Sequence, residues 1–225
     1  MKNIFFVGLT LVFLCFRITP VTAQLPAERE SHHTIVFENK DIRILEGRVP
    51  PHDTTVAHTH SANGVVVFLS PSRFAIQPVG GQPVISSVQP GDLKYVTYGD
   101  KPVNHLVWAE GEPVFHFFVV ELKGRQGAMD TKPLPDQAGC KFLWQQPLVG
   151  AYSVELGKGE GCRIPSADGA YLVIAISGGG KISAAGKSST LQVNGFRFFP
   201  AHTALGIETD GKEGVRCVLL AVKAN

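Results

Sequence analysis

After its first two dozen residues this chain carries almost no hydrophobic pattern of helical period, and that property constrains its fold more than any other. Short runs rich in Val, Ile and Phe recur instead at 34–37, 42–49, 65–69, 115–122, 171–176 and 215–222, with Gly and Pro between them. Many short strands punctuated in this way predict an all-β protein, a sandwich or a barrel.

The runs also repeat. S-A-N-G followed by V-V-V-F-L at 61–69 is echoed by S-A-D-G followed by A-Y-L-V-I-A-I at 166–176. Q-P-G-D-L-K-Y-V-T is echoed by Q-V-N-G-F-R-F-F-P, and F-H-F-F-V-V-E-L by R-C-V-L-L-A-V-K, in the same order and at nearly constant offset. An internal repeat of two β-units is expected, separated by the polar, Gly- and Pro-containing stretch 124–146, which reads as a linker.

The N-terminus has a different character. Met-Lys-Asn leads into an apolar run at 4–16, then Arg17 and the small residues Val21, Thr22 and Ala23. That layout predicts a secretory signal peptide over 1–23, and the run is shorter than the roughly 20 residues a spanning helix needs. The mature chain is therefore expected to be soluble and exported, to the periplasm or the extracellular space. The net charge of +2, with Lys and Arg scattered, argues against nucleic acid or an anionic membrane as partners. Cys140, Cys162 and Cys217 remain after cleavage, and in an oxidising compartment one pair of them could form a disulfide.

Histidine carries the chemistry. In V-A-H-T-H-S, His58 and His60 would project from one face of a strand, close enough for both imidazoles to meet one ion. Two neutral imidazoles suit zinc, iron, copper or nickel but need a third ligand. His105 is the best candidate, because it follows the Pro90-Gly91-Asp92 turn and a strand from an opposite barrel wall can bring it alongside. His116 competes, from within an apolar strand. His52 lies in a loop, and His32 and His33 lie near the mature N-terminus, where solvent and disorder are the plain expectation.

His-x-His, a valine run, Pro-Gly-Asp, a later His and a Gly-Glu-Pro turn resemble the cupin superfamily. V-F-E-N-K-D-I-R-I-L-E-G-R-V-P-P ahead of the histidine pair and N-H-L-V-W-A-E-G-E-P after it carry the likeness over 34–123, and 146–223 is similar more weakly. The resemblance implies two tandem cupin-type jelly-roll β-barrels: an N-terminal cupin over 31–123 with metal ligands His58, His60 and His105, and a degenerate C-terminal cupin over 147–225. The usual fourth ligand, a glutamate four or five positions after the second histidine, falls on Gly64 or Val65. In the second half Arg163 and Pro165 align with the histidine pair, Leu205 with His105, and His202 falls in a turn.

A divalent metal on three neutral histidines keeps its charge uncompensated and coordination positions open, which suits anionic or bidentate oxygen ligands. Tyr95, Thr97, Phe68, Trp108 and Phe117 are the candidate pocket wall. The reading that follows is an exported, metal-dependent cupin enzyme acting on a small oxygen-containing organic molecule: with Fe(II) if it is a dioxygenase, with Zn, Mn or Ni if it is an isomerase or lyase. A non-catalytic small-ligand or metal-binding cupin is the alternative, and a structural β-protein with incidental histidines a third reading. Either a monomer or a homodimer fits, because a bicupin reproduces within one chain the dimer that single cupins form.

Overall fold

A computed structural model describes residues 24–124, 134 and 139–224, so the expected signal peptide lies outside the described residues. The regular structure of the described chain is nearly all strand. The first unit contains β1 (Leu25–Pro26), β2 (His33–Glu38), β3 (Ile42–Val49), β4 (His58–His60), β5 (Asn63–Phe68), β6 (Ser72–Pro78), β7 (Val84–Val88), β8 (Leu93–Thr97), β9 (Val103–Ala109) and β10 (Phe115–Leu122), with one 3-10 turn at Ala27–Arg29. The second contains β11 (Cys140–Gln146), β12 (Val149–Leu156), β13 (Gly161–Ile164), β14 (Ala170–Ser177), β15 (Gly180–Ala184), β16 (Lys187–Leu191), β17 (Phe196–Phe199), β18 (Leu205–Thr209) and β19 (Val215–Val222). Thus the stretch read as linker ends early: 140–146 alternates buried and open positions and pairs with β12 as a strand. The first unit also begins sooner than 31, since β1 lies parallel against β4.

Each unit is a two-sheet jelly roll. In the first, the sheet β1-β4-β9-β6-β7 faces the sheet β2-β3-β10-β5-β8; in the second, β13-β18-β15-β16 faces β11-β12-β19-β14-β17. The order of strands repeats, and so does a steric detail. A Cβ placed on Gly64 would meet the Val120 carbonyl oxygen at 2.6 Å, and one placed on Gly169 would meet the Val222 carbonyl oxygen at 2.6 Å. The repeated Gly therefore marks the same close backbone approach in both halves.

Among the described residues three apolar clusters hold the fold. Leu45, Phe68, Phe74, Val107, Phe115 and Phe117 lie within the first barrel, and Tyr152, Tyr171, Ile182, Leu205, Ile207 and Leu219 fill the second. The third cluster joins them: Ile44, Val65, Val67, Phe118 and Val120 pack against Leu172, Ile174, Val218 and Leu220 from the other half. Strands β10 and β19 therefore carry apolar residues on both faces, one toward their own barrel and one toward the other, which is why they read as nearly continuous hydrophobic runs interrupted only by His116 and Glu121 in β10 and Arg216 in β19. Cys140, Cys162 and Cys217 are all buried within the second barrel, and among the described residues no disulfide of the kind allowed for by the sequence joins them. Among the described residues no helix is long and apolar enough to cross a membrane.

Candidate metal centre

Strand alternation puts His58 and His60 on one face of β4, both buried, with Thr59 between them pointing away. Antiparallel pairing with β9 sets His105 directly opposite His58. The ring centroids of His58 and His60 are 5.1 Å apart, and His105 stands 4.8 Å from His58 and 5.2 Å from His60. The structure thus brings the three sequence-selected histidines together.

A fourth imidazole joins them from an unexpected place. His33, at the start of β2, lies 4.7 Å from His58 and 5.6 Å from His60 by ring centroid. Donor atoms of His33, His58 and His60 all fall within 4.8 Å of one another. His33 is buried, contrary to the expectation of an open terminus, because β1 and the 3-10 turn tie residues 25–33 onto β4. Its Nδ1 donates to Glu30 Oε2 at 2.8 Å, and Glu30 also accepts from His32 Nδ1 and the His32 amide.

The protonation states favour cation binding. His58 donates Nδ1–H to the Val56 carbonyl at 2.9 Å, which leaves Nε2 as an acceptor. Burial, reinforced by the neighbouring imidazoles, pushes His60 well below the usual histidine range and His105 down to about 3. Burial likewise lowers His58, against its hydrogen bond to Val56. These rings are therefore neutral with lone pairs to offer. Burial alone would raise the Glu30 carboxyl, but the hydrogen bonds from His33 and His32 outweigh it and hold the group down to about 2, so it is ionised. Most telling, His58 Nε2, His60 Nδ1 and His105 Nδ1 are buried with no hydrogen-bond partner among the described residues. Each such orphan costs about 1–3 kcal/mol unless something binds it. Neutral imidazole nitrogens are the donors that borderline divalent cations prefer, so these residues fit a metal.

A cavity of about 430 Å³ adjoins the cluster, with His33, His60, His105 and Tyr98 in its lining. Its apolar wall includes Phe68, Phe74, Phe115 and Phe117, and Phe74 stacks on Phe115 at 4.1 Å. Of the five candidate wall residues, Phe68 and Phe117 line the cavity and Tyr95, Thr97 and Trp108 do not. Tyr95 packs outward against Trp144 and the core between the barrels, Thr97 is exposed, and Trp108 turns out from β9 to donate to Glu110. The inward parity of β8 is instead that of Lys94 and Val96, continued by Tyr98, whose ring lies 5.6 Å from His60 and whose phenol burial pushes upward. His116 points away from the cluster, toward Glu46 at 2.7 Å and Phe118. His52 sits in a turn at φ 62°, and His202 in a turn at φ 63°.

Nothing occupies the expected glutamate position, and the reason is geometric. Gly64 has no room for a side chain over the Val120 carbonyl, and Val65 faces the other barrel. In the second half Ile164, one residue from the aligned Arg163, pairs with Leu205 as His58 pairs with His105, and both are buried apolar residues.

No family pattern matches the sequence, and no curated protein matches it. Solved structures do. A cupin 2 conserved barrel domain protein from Leptotrichia buccalis superposes with a TM-score of 0.56 at 18% identity, over 85% of this chain and 88% of that one. Bacillus subtilis oxalate decarboxylase, described with Mn(II) centres, gives 0.58 at 13% identity over 86% and 72%. Tomato (Solanum lycopersicum) vicilin gives 0.60 at 12% identity over 83% and 76%. The chain has the cupin fold, in two tandem jelly-roll barrels.

Proposed function

We propose that this two-barrel cupin-fold chain is an exported, divalent-metal-binding enzyme whose site lies in the first barrel, at His58, His60 and His105, beside an apolar cavity. The observation that carries the reading is the set of three orphaned, buried ring nitrogens on those residues. Similarity to an Mn(II)-containing decarboxylase supports a divalent metal in general, while the likeness to vicilin as well is a reminder that a fold does not choose its chemistry. When bound, such a metal would polarise an oxygen ligand or lower the pKa of water.

The chain's own residues define what it would act on. A volume of about 430 Å³ suits a small organic molecule, and the phenylalanine wall favours an apolar or aromatic body over a small dianion. The histidines would receive its oxygen-bearing end. Tyr98, protonated at neutral pH, is the group in the lining placed to donate a hydrogen bond or proton there, and Lys94 offers a positive charge. Fe(II) would serve a dioxygenase; Zn, Mn or Ni an isomerase or lyase. Oxygen uptake by the iron-loaded protein, followed with diketones, flavonols and thiols, tests the oxidative branch, and the same panel with the manganese- or zinc-loaded protein tests the other. Saturable binding of these compounds with no turnover under any metal would leave a binding protein in place of an enzyme. Packing of the barrels against each other within one chain supports a monomer.

A further inference from the structure

Resting on the reading that the histidine cluster binds a divalent metal, we propose that His33 is a further ligand and that Glu30, hydrogen-bonded behind it, is a positioning residue that supplies the negative charge absent at Gly64 and Val65. The carboxylate of this site would then stand one imidazole ring outside the donor set rather than within it.

Three observations carry this. First, His33, His58 and His60 each offer a donor atom, and the three lie within 4.8 Å of one another. Second, Glu30 fixes the ring. A carboxylate only accepts, so His33 Nδ1 must carry the proton in the 2.8 Å contact, and Nε2 is left to present a lone pair. Carboxylates behind metal-ligating histidines commonly act in this way, orienting the ring and raising its basicity. Third, both side chains are almost wholly buried, His33 at 1% and Glu30 at 0% exposure. A carboxylate so placed is costly unless its oxygens are hydrogen-bonded and matched by positive charge; His33 and His32 supply the hydrogen bonds, and a divalent cation beyond the ring would supply the charge. The segment that delivers both residues is clamped by β1 on β4, by the amide of His33 on the Glu30 carbonyl, and by Thr59 donating to Gln24. The same strand that carries His58 and His60 therefore anchors the segment that carries their partner.

Gly64 explains why the charge is displaced. With the Val120 carbonyl 2.6 Å from any Cβ, that position cannot carry a ligand, so a carboxylate must enter from another element.

The test is Co(II) titration of the full-length protein, read by visible absorption and by competition with a chelator. Glu30→Gln should weaken binding about 10–100-fold, the range for loss of such outer partners, with Glu30→Asp recovering part of it. His33→Ala should weaken binding further and shift the visible bands. Should His33→Ala fail to fold, His33→Asn keeps a donor toward Glu30 without an imidazole and is expected to give the same shift. Wild-type spectrum and affinity in a folded His33 variant would overturn the inference while leaving the metal reading intact. Absence of Co(II) binding by the wild type would overturn both.

Discussion

Placing a carboxylate where the histidine motif calls for one should damage this protein rather than improve it. A Cβ at position 64 lies 2.6 Å from the Val120 oxygen, where ordinary contact begins at 3.4 Å. That oxygen belongs to β10, which pairs along its length with β3 and with β5 and is buried on both faces, so it has little room to yield. Overpacking of this kind costs about 1–3 kcal/mol, offset by the roughly 0.5–1 kcal/mol that a strand gains when Gly is replaced. An approach as close as 2.6 Å falls in the upper half of that cost, so the net for Gly64→Ala is about 1–2.5 kcal/mol, or a fall in Tm of about 2–10 °C for a chain of this size. Gly64→Glu should fall further and should not tighten metal binding. Gly111→Ala, where nothing lies within 4 Å of the added carbon, is the control and should match the wild type. Differential scanning calorimetry of the three variants decides it. A Gly64→Ala protein that melts with the wild type, or a Gly64→Glu protein with stronger metal binding, would refute the steric account of the missing ligand.

Truncating Leu220, fully buried between the barrels, should cost about 2–5 kcal/mol and lower a single cooperative urea transition; two separate transitions in the wild type would contradict a shared core. Burial holds the Cys217 thiol and the Tyr171 phenol protonated up to about 12, against ordinary values of 9 and 10. The unfolded chain therefore loses those protons first, so stability is full below about pH 9 and declines as pH rises toward 12. Urea midpoints from pH 8 to 11 should fall accordingly, less steeply in Cys217→Ala, and a flat profile would refute the assignment. Gly47 leaves room for the Phe117 ring, whose Cζ would lie 2.2 Å from an added Cβ. Gly47→Ala should push that ring into the cavity and weaken apolar ligands without changing metal content, which parallel ligand and metal titrations would check.

Much of the fold was legible because its signals are local. Period-two runs, Gly and Pro punctuation and the echo of S-A-N-G in S-A-D-G all reflect strand geometry, and Gly64 and Gly169 do meet the same steric constraint. His58 and His60 were legible for the same reason; His105 was selected as the third member after the Pro90-Gly91-Asp92 turn, but it comes from β9, the paired neighbour of β4 in the same sheet, and not from an opposite wall as expected. What was not legible depends on partners distant in sequence. Since β8 packs toward its own barrel on one side and the second barrel on the other, hydrophobicity could not show that Lys94, Val96 and Tyr98 rather than Tyr95 and Thr97 face inward. His33 reads as a terminal residue until β1 pairs with β4. The gap at Gly64 and Val65 was itself the available signal, for it left a donor set in need of another member. Cys140–Gln146 escaped notice because its alternation is only partly apolar.

Metal content is the most direct test of the central claim. The full-length protein, incubated with Fe(II), Mn(II) or Zn(II), freed of loose ions and assayed by inductively coupled plasma mass spectrometry, should retain one equivalent of one of these metals. His58→Ala and His60→Ala, checked for wild-type circular dichroism, should retain almost none. A wild-type protein that emerges without metal, or folded variants that keep the full equivalent, would contradict the site.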